Sequence, residues 1–354
     1  MNPAFLSAIF LQISGTLGAG IFTLPYVFVH SNIFFASVFF LFLILITASL
    51  NQFYGEIVLS TPGRHQLAGY AQTYLGKKFK RLATLNLLLL AIGATTAYQK
   101  LFSSFLVILF PGFDYSVITF FELSILWFIF SQSRSRSPLW HSFLSILLVL
   151  VPLFLFVFSI SNSSFVISNL SYSPNFLFYG PAIFALSGFT IIPEIKSKFL
   201  PQASLYGLFI TSLIYLLFIF SIIRLSPTGV SSDSLTGIFI NYPNVAKYIA
   251  FFGLLVTFQA TQNFLLVVKE LFFHDLAFSA PVSNIFSLIV LLSSVLLNPI
   301  SLVLVLSLTG HITIFISALL ICLIRFRLPH NFLTEFKLVL VILCFTAGLL
   351  AAFI

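Results

Sequence analysis

Gln12-Ile-Ser-Gly15-Thr-Leu-Gly18-Ala-Gly20-Ile-Phe-Thr-Leu-Pro25 sets three glycines and a proline inside an apolar run near the N-terminus. The run, about 4–29, is long enough to cross roughly 30 Å of hydrocarbon as a helix. Three glycines in six residues, followed by a proline, make a poor continuous helix. In lipid, freed backbone groups are tolerated only where they face protein, water or a ligand. A second stretch repeats the pattern: Ala185-Leu-Ser-Gly188-Phe-Thr-Ile-Ile-Pro193-Glu194. In each, a glycine (Gly20, Gly188) stands five residues before a proline (Pro25, Pro193), with apolar residues and a threonine between. The second stands five apolar spans after the first, an odd number, so the second copy enters from the opposite side. An inverted repeat with one discontinuous helix per half is the sequence pointer to a transporter's binding site.

The rest of the chain fits a lipid solvent. Of 354 residues, 60% are hydrophobic and 7% charged, too little charge to solvate a soluble surface. Polar residues cluster in short islands, which predicts about eleven spans. They run roughly 4–29, 33–57, 82–110, 115–132, 139–160, 175–199, 202–224, 246–270, 281–298, 300–325 and 335–354. The N-terminus has no basic region and no small-residue cleavage site, so it reads as the first span and not as a signal peptide. There is no linker, which predicts one membrane domain over 1–354, with repeats at about 4–160 and 175–325 and an extra helix at 335–354. The net charge of +8 follows the positive-inside bias and does not indicate nucleic acid. With a cytoplasmic N-terminus, thirteen of the sixteen Lys and Arg residues fall inside, from Arg64 to Lys337. Lys100, Arg224 and Lys247 are the others. The expected topology is therefore N-terminus in and C-terminus out. Short loops suggest a prokaryotic cell membrane, and Asn162 and Asn169 match glycosylation sequons of little weight. Cys322 and Cys344 lie in apolar segments and are expected reduced, with no metal site or cofactor.

The chemistry of the breaks follows from the backbone. Unwinding near Gly15 to Gly20 leaves N–H groups at the start of a half-helix, where the positive dipole end suits a carboxylate. Unwinding near Ser187 and Gly188 frees carbonyls, which suit an ammonium group or a cation. Together they make a zwitterion receptor without a formal charge. The alternative is close helix packing through small residues. A dinucleotide-binding reading fails, since no strand precedes the glycines.

Gly18-Ala-Gly20-Ile-Phe-Thr-Leu-Pro25-Tyr26 resembles the first-helix signature of permeases of the amino acid–polyamine–organocation superfamily, and most of all the aromatic (hydroxy) amino acid and amino acid/auxin permeases. Phe184–Glu194 is similar to their sixth helix, and Gly63–Gly76 to their loop after the second. The resemblance spans the chain. It implies an all-α, leucine-transporter-like fold of five plus five inverted helices plus one, working by alternating access. It implies that the Gly18, Ala19 and Gly20 amides hold a substrate carboxylate and that the Ala185, Leu186 and Ser187 carbonyls hold its amine. Residues of the third and eighth helices would shape the pocket. Tyr98 and Phe189 join Gly15 and Gly188 as further substrate-site candidates. Sodium-coupled relatives use paired hydroxyls on the eighth helix. By spacing from Asp275 that pair is Ala260 and Thr261 here, so one hydroxyl remains, and coupling to H+ or Na+ stays open.

Three intramembrane residues are ion-coupling candidates: Thr261, Lys100 and His311. An ionisable group such as Lys100 at mid-span is costly and marks a functional candidate. It stands in for a coupling cation, or it snorkels or pairs with Glu122. His311, after Thr309-Gly310, is either a proton relay or gate, or a hydrogen-bonded core residue. Gln259, Gln262 and Asn263 line a pathway or join helices. Loop 63–81, with Tyr70, Tyr74 and a basic cluster, is either an interfacial helix at the bundle's mouth or a solvated loop.

The function that fits is an ion-coupled secondary transporter of neutral amino acids, aromatic ones by resemblance. No acidic residue flanks either break, which argues against cationic substrates. A pump lacks its P-loop. A membrane enzyme needs convergent His, Asp or Glu residues that the spans do not supply. A non-transporting amino acid sensor of the same fold is the other alternative. The partners expected are substrate and bilayer, and oligomeric state is not legible.

Overall fold

A computed structural model describes residues 3–112, 127, 138–162, 175–195, 197–297 and 299–351 of the protein. Most of these residues are helical, with no strand among them. The α-helices are α1 (Pro3–Thr16), α2 (Gly20–His30), α3 (Ile33–Ser60), α4 (Leu67–Leu75), α5 (Lys77–Leu109), α6 (Pro138–Asn162) and α7 (Tyr179–Leu186). They continue as α8 (Leu200–Leu225), α9 (Thr236–Asn241), α10 (Pro243–Glu270), α11 (Ala280–Leu296), α12 (Leu302–Leu308), α13 (Phe315–Phe326) and α14 (Phe332–Ala351). A tight 3-10 segment, Gly188–Glu194, follows α7, and wider π-turns occupy Leu271–Asp275 and Thr309–Ile314.

Six helical segments among the described residues are long and apolar enough to cross a bilayer, and the bent pair α1–α2 makes a seventh. The expected span 115–132 lies outside the described residues, apart from Trp127. Helix ends follow local chemistry. Asn32 caps α3 by accepting from the Phe35 amide at 3.1 Å, and Ser301 caps α12 through Leu304. α8, α10 and α11 begin with proline in their first turn, where the missing N–H has no intrahelical partner to lose.

The exposed faces are apolar, as lipid requires. On α3 the stripe Phe34, Val38, Leu41 and Leu45 is exposed, while Ala36, Phe40, Leu43 and Leu50 are buried. Polar side chains point inward and join helices. Asn86 on α5 donates to the Thr313 carbonyl at 3.0 Å and to the Ser317 hydroxyl at 2.8 Å. Sequence and structure differ in two places. The span expected at 175–199 is α-helical only to Leu186 and continues as a 3-10 segment to Glu194. The span expected at 300–325 contains a π-turn at its centre.

Candidate functional site

The first break sits where the glycines put it. The last bond of α1 runs from the Leu17 amide to the Ile13 carbonyl at 2.9 Å. The chain resumes with Ile21 donating to Gly18 at 3.4 Å and Phe22 to Ala19 at 3.1 Å. Between them the Gly18, Ala19 and Gly20 amides lie at the positive end of α2, and the axis bends by 58°. Gly15 is in the last turn of α1, against Ile191.

The second break turns at Ser187, whose backbone leaves the helical region. Its amide and hydroxyl both donate to the Phe184 carbonyl, at 3.1 and 2.5 Å. The last carbonyls of α7, including those of Ala185 and Leu186, are left without the next turn of α-helix.

The two breaks touch. A Cβ added to Gly20 would fall 2.4 Å from Ala185 Cβ and 2.6 Å from its Cα. A Cβ on Gly188 would fall 1.9 Å from Thr16 Oγ1. Glycine at these positions is what lets the backbones meet. Two side chains bind the breaks together. Gln12 Nε2 donates to the Gly188 carbonyl at 3.0 Å and to Thr16 Oγ1 at 3.1 Å. Tyr215, on α8, lies 2.9 Å from both the Thr16 and the Ala185 carbonyl oxygens. One hydroxyl thus caps the C-terminal ends of two half-helices. Sequence reasoning assigned no role to either residue. Gln12 stood in the quoted stretch as a polar residue in an apolar run, and nothing local marks Tyr215.

Tyr98 on α5 closes the site from the side. Its hydroxyl would lie 2.9 Å from a Cβ on Gly18, and its ring is 6.3 Å from Phe184 and 5.9 Å from Phe264. Phe189, in the 3-10 segment, is buried near Tyr54, with ring centroids 6.5 Å apart. Ser187 keeps 8% of its surface accessible and Phe264 7%, whereas Ala19 and Leu186 keep none. On α10, Thr261 is buried and donates to the Thr257 carbonyl at 2.8 Å, and Asn263 reaches the Ser14 carbonyl at 3.4 Å. Ala260 and Thr261 therefore lie on a helix that contacts α1 just before its break. Lys100 is partly buried on α5, and its expected partner Glu122 lies outside the described residues. His311 is buried in the π-turn with Nδ1 2.7 Å from the Ser307 carbonyl oxygen. Asn162 ends α6, and Asn169 lies outside the described residues.

One end of the bundle is closed by charges from four elements. The Asp275 carboxylate accepts from the Gly69 amide at 2.8 Å and the Gln66 amide at 3.1 Å, with His65 Nδ1 at 3.3 Å. Arg64 pairs with Glu194, at the end of the 3-10 segment, and lies 3.4 Å from Glu270. Burial works against the Arg64 cation, but the two carboxylates outweigh it and raise its pKa above the ordinary value. Gln66 donates to Glu194 at 2.7 Å and Lys80 to the Asp275 carbonyl at 2.5 Å. Of the two readings of loop 63–81, the structure has a helix, α4, seated on the bundle with Leu67, Ala68, Tyr70 and Ala71 buried. Asp275→Asn puts an amide N–H2 among these donors. It should lower stability by about 1.5–3 kcal/mol, the worth of a hydrogen bond to a charged group, read as a fall in the thermal midpoint in detergent.

No protein-family model and no curated protein matches the sequence. Solved structures do match, across nearly the whole chain. MhsT in complex with L-phenylalanine has 14% identity and a TM-score of 0.71, covering 98% of this chain and 97% of that one. Mhp1, a nucleobase-cation-symport-1 family transporter, has 14% identity and a TM-score of 0.67 over 99% and 93%. A manganese transporter from Eremococcus coleocola has 11% identity and a TM-score of 0.67 over 98% and 86%. At these identities the likeness is one of architecture, and the chain has the all-helical fold of leucine-transporter-type secondary transporters.

Proposed function

We propose that the protein is a secondary transporter of neutral α-amino acids, aromatic ones among them, bound between the two breaks. The observation that carries the reading is the meeting of amide donors at Gly18, Ala19 and Gly20 with the carbonyl-bearing end of α7 at Gly20 and Ala185. Amides at a helix N-terminus suit the carboxylate, and the Ala185, Leu186 and Ser187 carbonyls suit the ammonium. Tyr98 adds a hydroxyl beside Gly18, and with Phe184 and Phe264 it supplies an aromatic wall. The architecture shared with MhsT, whose structure holds L-phenylalanine, supports the same choice.

In this reading the repeats divide at about 4–160 and 175–325, with 335–354 outside them. The charged end closed by Asp275 and Arg64 faces the cytoplasm, and the membrane is the cell membrane. Thr261 and Lys100 remain candidates for the coupling ion.

The test is uptake of labelled L-phenylalanine into proteoliposomes, with a thermal-shift screen over the twenty amino acids. A stabilising neutral amino acid that is also taken up is the expected result. No stabilisation and no uptake by any amino acid would sink the reading. Tyr98→Phe should weaken binding about 10- to 150-fold, the equivalent of one hydrogen bond to a charged group of about 1.5–3 kcal/mol. An equal loss for the α-amino acid and its decarboxylated amine would place the hydroxyl elsewhere.

A further inference from the structure

Among the described residues, His311 has a partner for one ring nitrogen and none for the other. Nδ1 lies 2.7 Å from the Ser307 carbonyl oxygen and 3.2 Å from the Ser307 hydroxyl. A carbonyl only accepts, so Nδ1 carries the proton of the neutral ring and Nε2 presents its lone pair. Among the described residues that Nε2 is buried with no hydrogen-bond partner, and so is the hydroxyl of Tyr179. The two rings are neighbours, 5.2 Å between centroids and tilted by 39°. Buried polar groups in folded proteins are nearly always satisfied, so two orphans side by side need an explanation.

Their place in the fold supplies one. Tyr179 opens α7, the first half of the broken sixth span, and His311 sits in the π-turn that rests on it. The contact is backbone to backbone: a Cβ on Gly310 would fall 2.0 Å from the Gly180 carbonyl oxygen. Single π-turns inside helices recur at functional sites. The titratable groups on the packed elements are Tyr179 of α7, Tyr98 and Lys100 of α5 (with the basic residues at its start), Cys322 and Arg325 of α13, and Cys344, Glu335 and Lys337 of α14. Glu335, the one carboxylate among them, lies about 20 Å along α14 from Gly348, the residue that abuts Tyr179. The unpartnered Tyr179 oxygen belongs to the neighbouring ring, and among the described residues no carboxylate adjoins the imidazole to hold its proton permanently. Such a proton can be loaded and released.

We propose that His311 is a proton-binding site of the transport cycle, with Nε2 taking a proton when the bundle opens to one side and donating it to the Tyr179 oxygen until the bundle opens to the other. The N–H bond at Nε2 forms as an O–H bond of hydronium breaks, and the reverse step returns the proton to water. One positive charge enters and leaves, and nothing is oxidised. The proposal rests on the transporter reading, but its first test does not.

That test is potentiometric titration of the purified protein in detergent between pH 8 and pH 5. Wild type should take up one more proton per chain than His311→Gln, because the other five histidines are common to both. Tyr179→Phe should keep that proton and move its midpoint to lower pH, since the imidazolium loses its acceptor. Equal uptake by wild type and His311→Gln overturns the proposal, whether or not transport is observed. In proteoliposomes with an inward proton gradient, wild type should accumulate L-phenylalanine, and His311→Gln should only equilibrate it. Undiminished accumulation by His311→Gln overturns the proposal as well. Absence of uptake by wild type, with the one-proton difference intact, overturns the transporter reading and leaves the proton site standing.

Discussion

Gly20→Ala should cut uptake of the substrate at least tenfold while the protein still inserts. The new methyl carbon would lie 2.4 Å from Ala185 Cβ and 2.6 Å from Ala185 Cα. The second of these is main chain and cannot rotate away. Overpacking of this kind costs typically about 1–3 kcal/mol, occasionally more. The strain falls on the close approach of Gly20 to Ala185, where the amide end of α2 meets the carbonyl end of α7, so it separates the two halves of the receptor. Uptake per folded molecule, with folding followed by size-exclusion chromatography, should drop at least tenfold, about 1.4 kcal/mol. Adding Ala185→Gly removes the Cβ clash and keeps the Cα clash, so the double variant should recover part of the loss. Leu41→Ala, on an exposed face of α3, should leave uptake about unchanged. Wild-type uptake by Gly20→Ala would show that the breaks do not meet this way in the working protein.

Tyr215→Phe should have the second largest effect. The hydroxyl stands 2.9 Å from two carbonyl oxygens on two different half-helices, and the residue is fully buried. Removing it leaves both oxygens without that donor. A buried group left unsatisfied costs about 1–3 kcal/mol. The loss should appear as a lower thermal midpoint and as uptake reduced with little change in side-chain selectivity, because the phenol caps backbone and not substrate. A shifted preference among amino acids, with stability unchanged, would instead put the hydroxyl in the substrate pocket.

The sequence carried the breaks because breaks are local events. Gly18, Gly20 and Pro25 weaken one helix where they stand, and Gly188 and Pro193 do so in another. The apolar runs carried the spans for the same reason. What joins the breaks is not local. Tyr215 reaches carbonyls 199 and 30 residues away, and Gln12 reaches one 176 residues away. No periodicity encodes such pairings, which depend on how whole helices pack. The 3-10 winding after Ser187 and the π-turn at Thr309–Ile314 were not legible either. Both are small changes in pitch, set by close neighbours: Thr16 and Gln12 against Gly188, and the Gly180 backbone against Gly310. The mouth lay between. Its charges were plain in the sequence, but the burial of Asp275 beneath the Gln66 and Gly69 amides follows from the seating of α4.

The Tyr215 hydroxyl has one proton and two claimants. A carrier must visit its outward-open and inward-open forms at comparable population, or it stalls in the deeper well. A phenol fixed to one half-helix would deepen one of those wells. A phenol equidistant from the Thr16 and Ala185 oxygens can leave its proton with whichever end stays behind, so parting the half-helices in either direction breaks no more than a share of one bond. The two departures then carry similar penalties, and the turnover rate becomes sensitive to any substitution that makes the sharing unequal, even one that leaves affinity untouched.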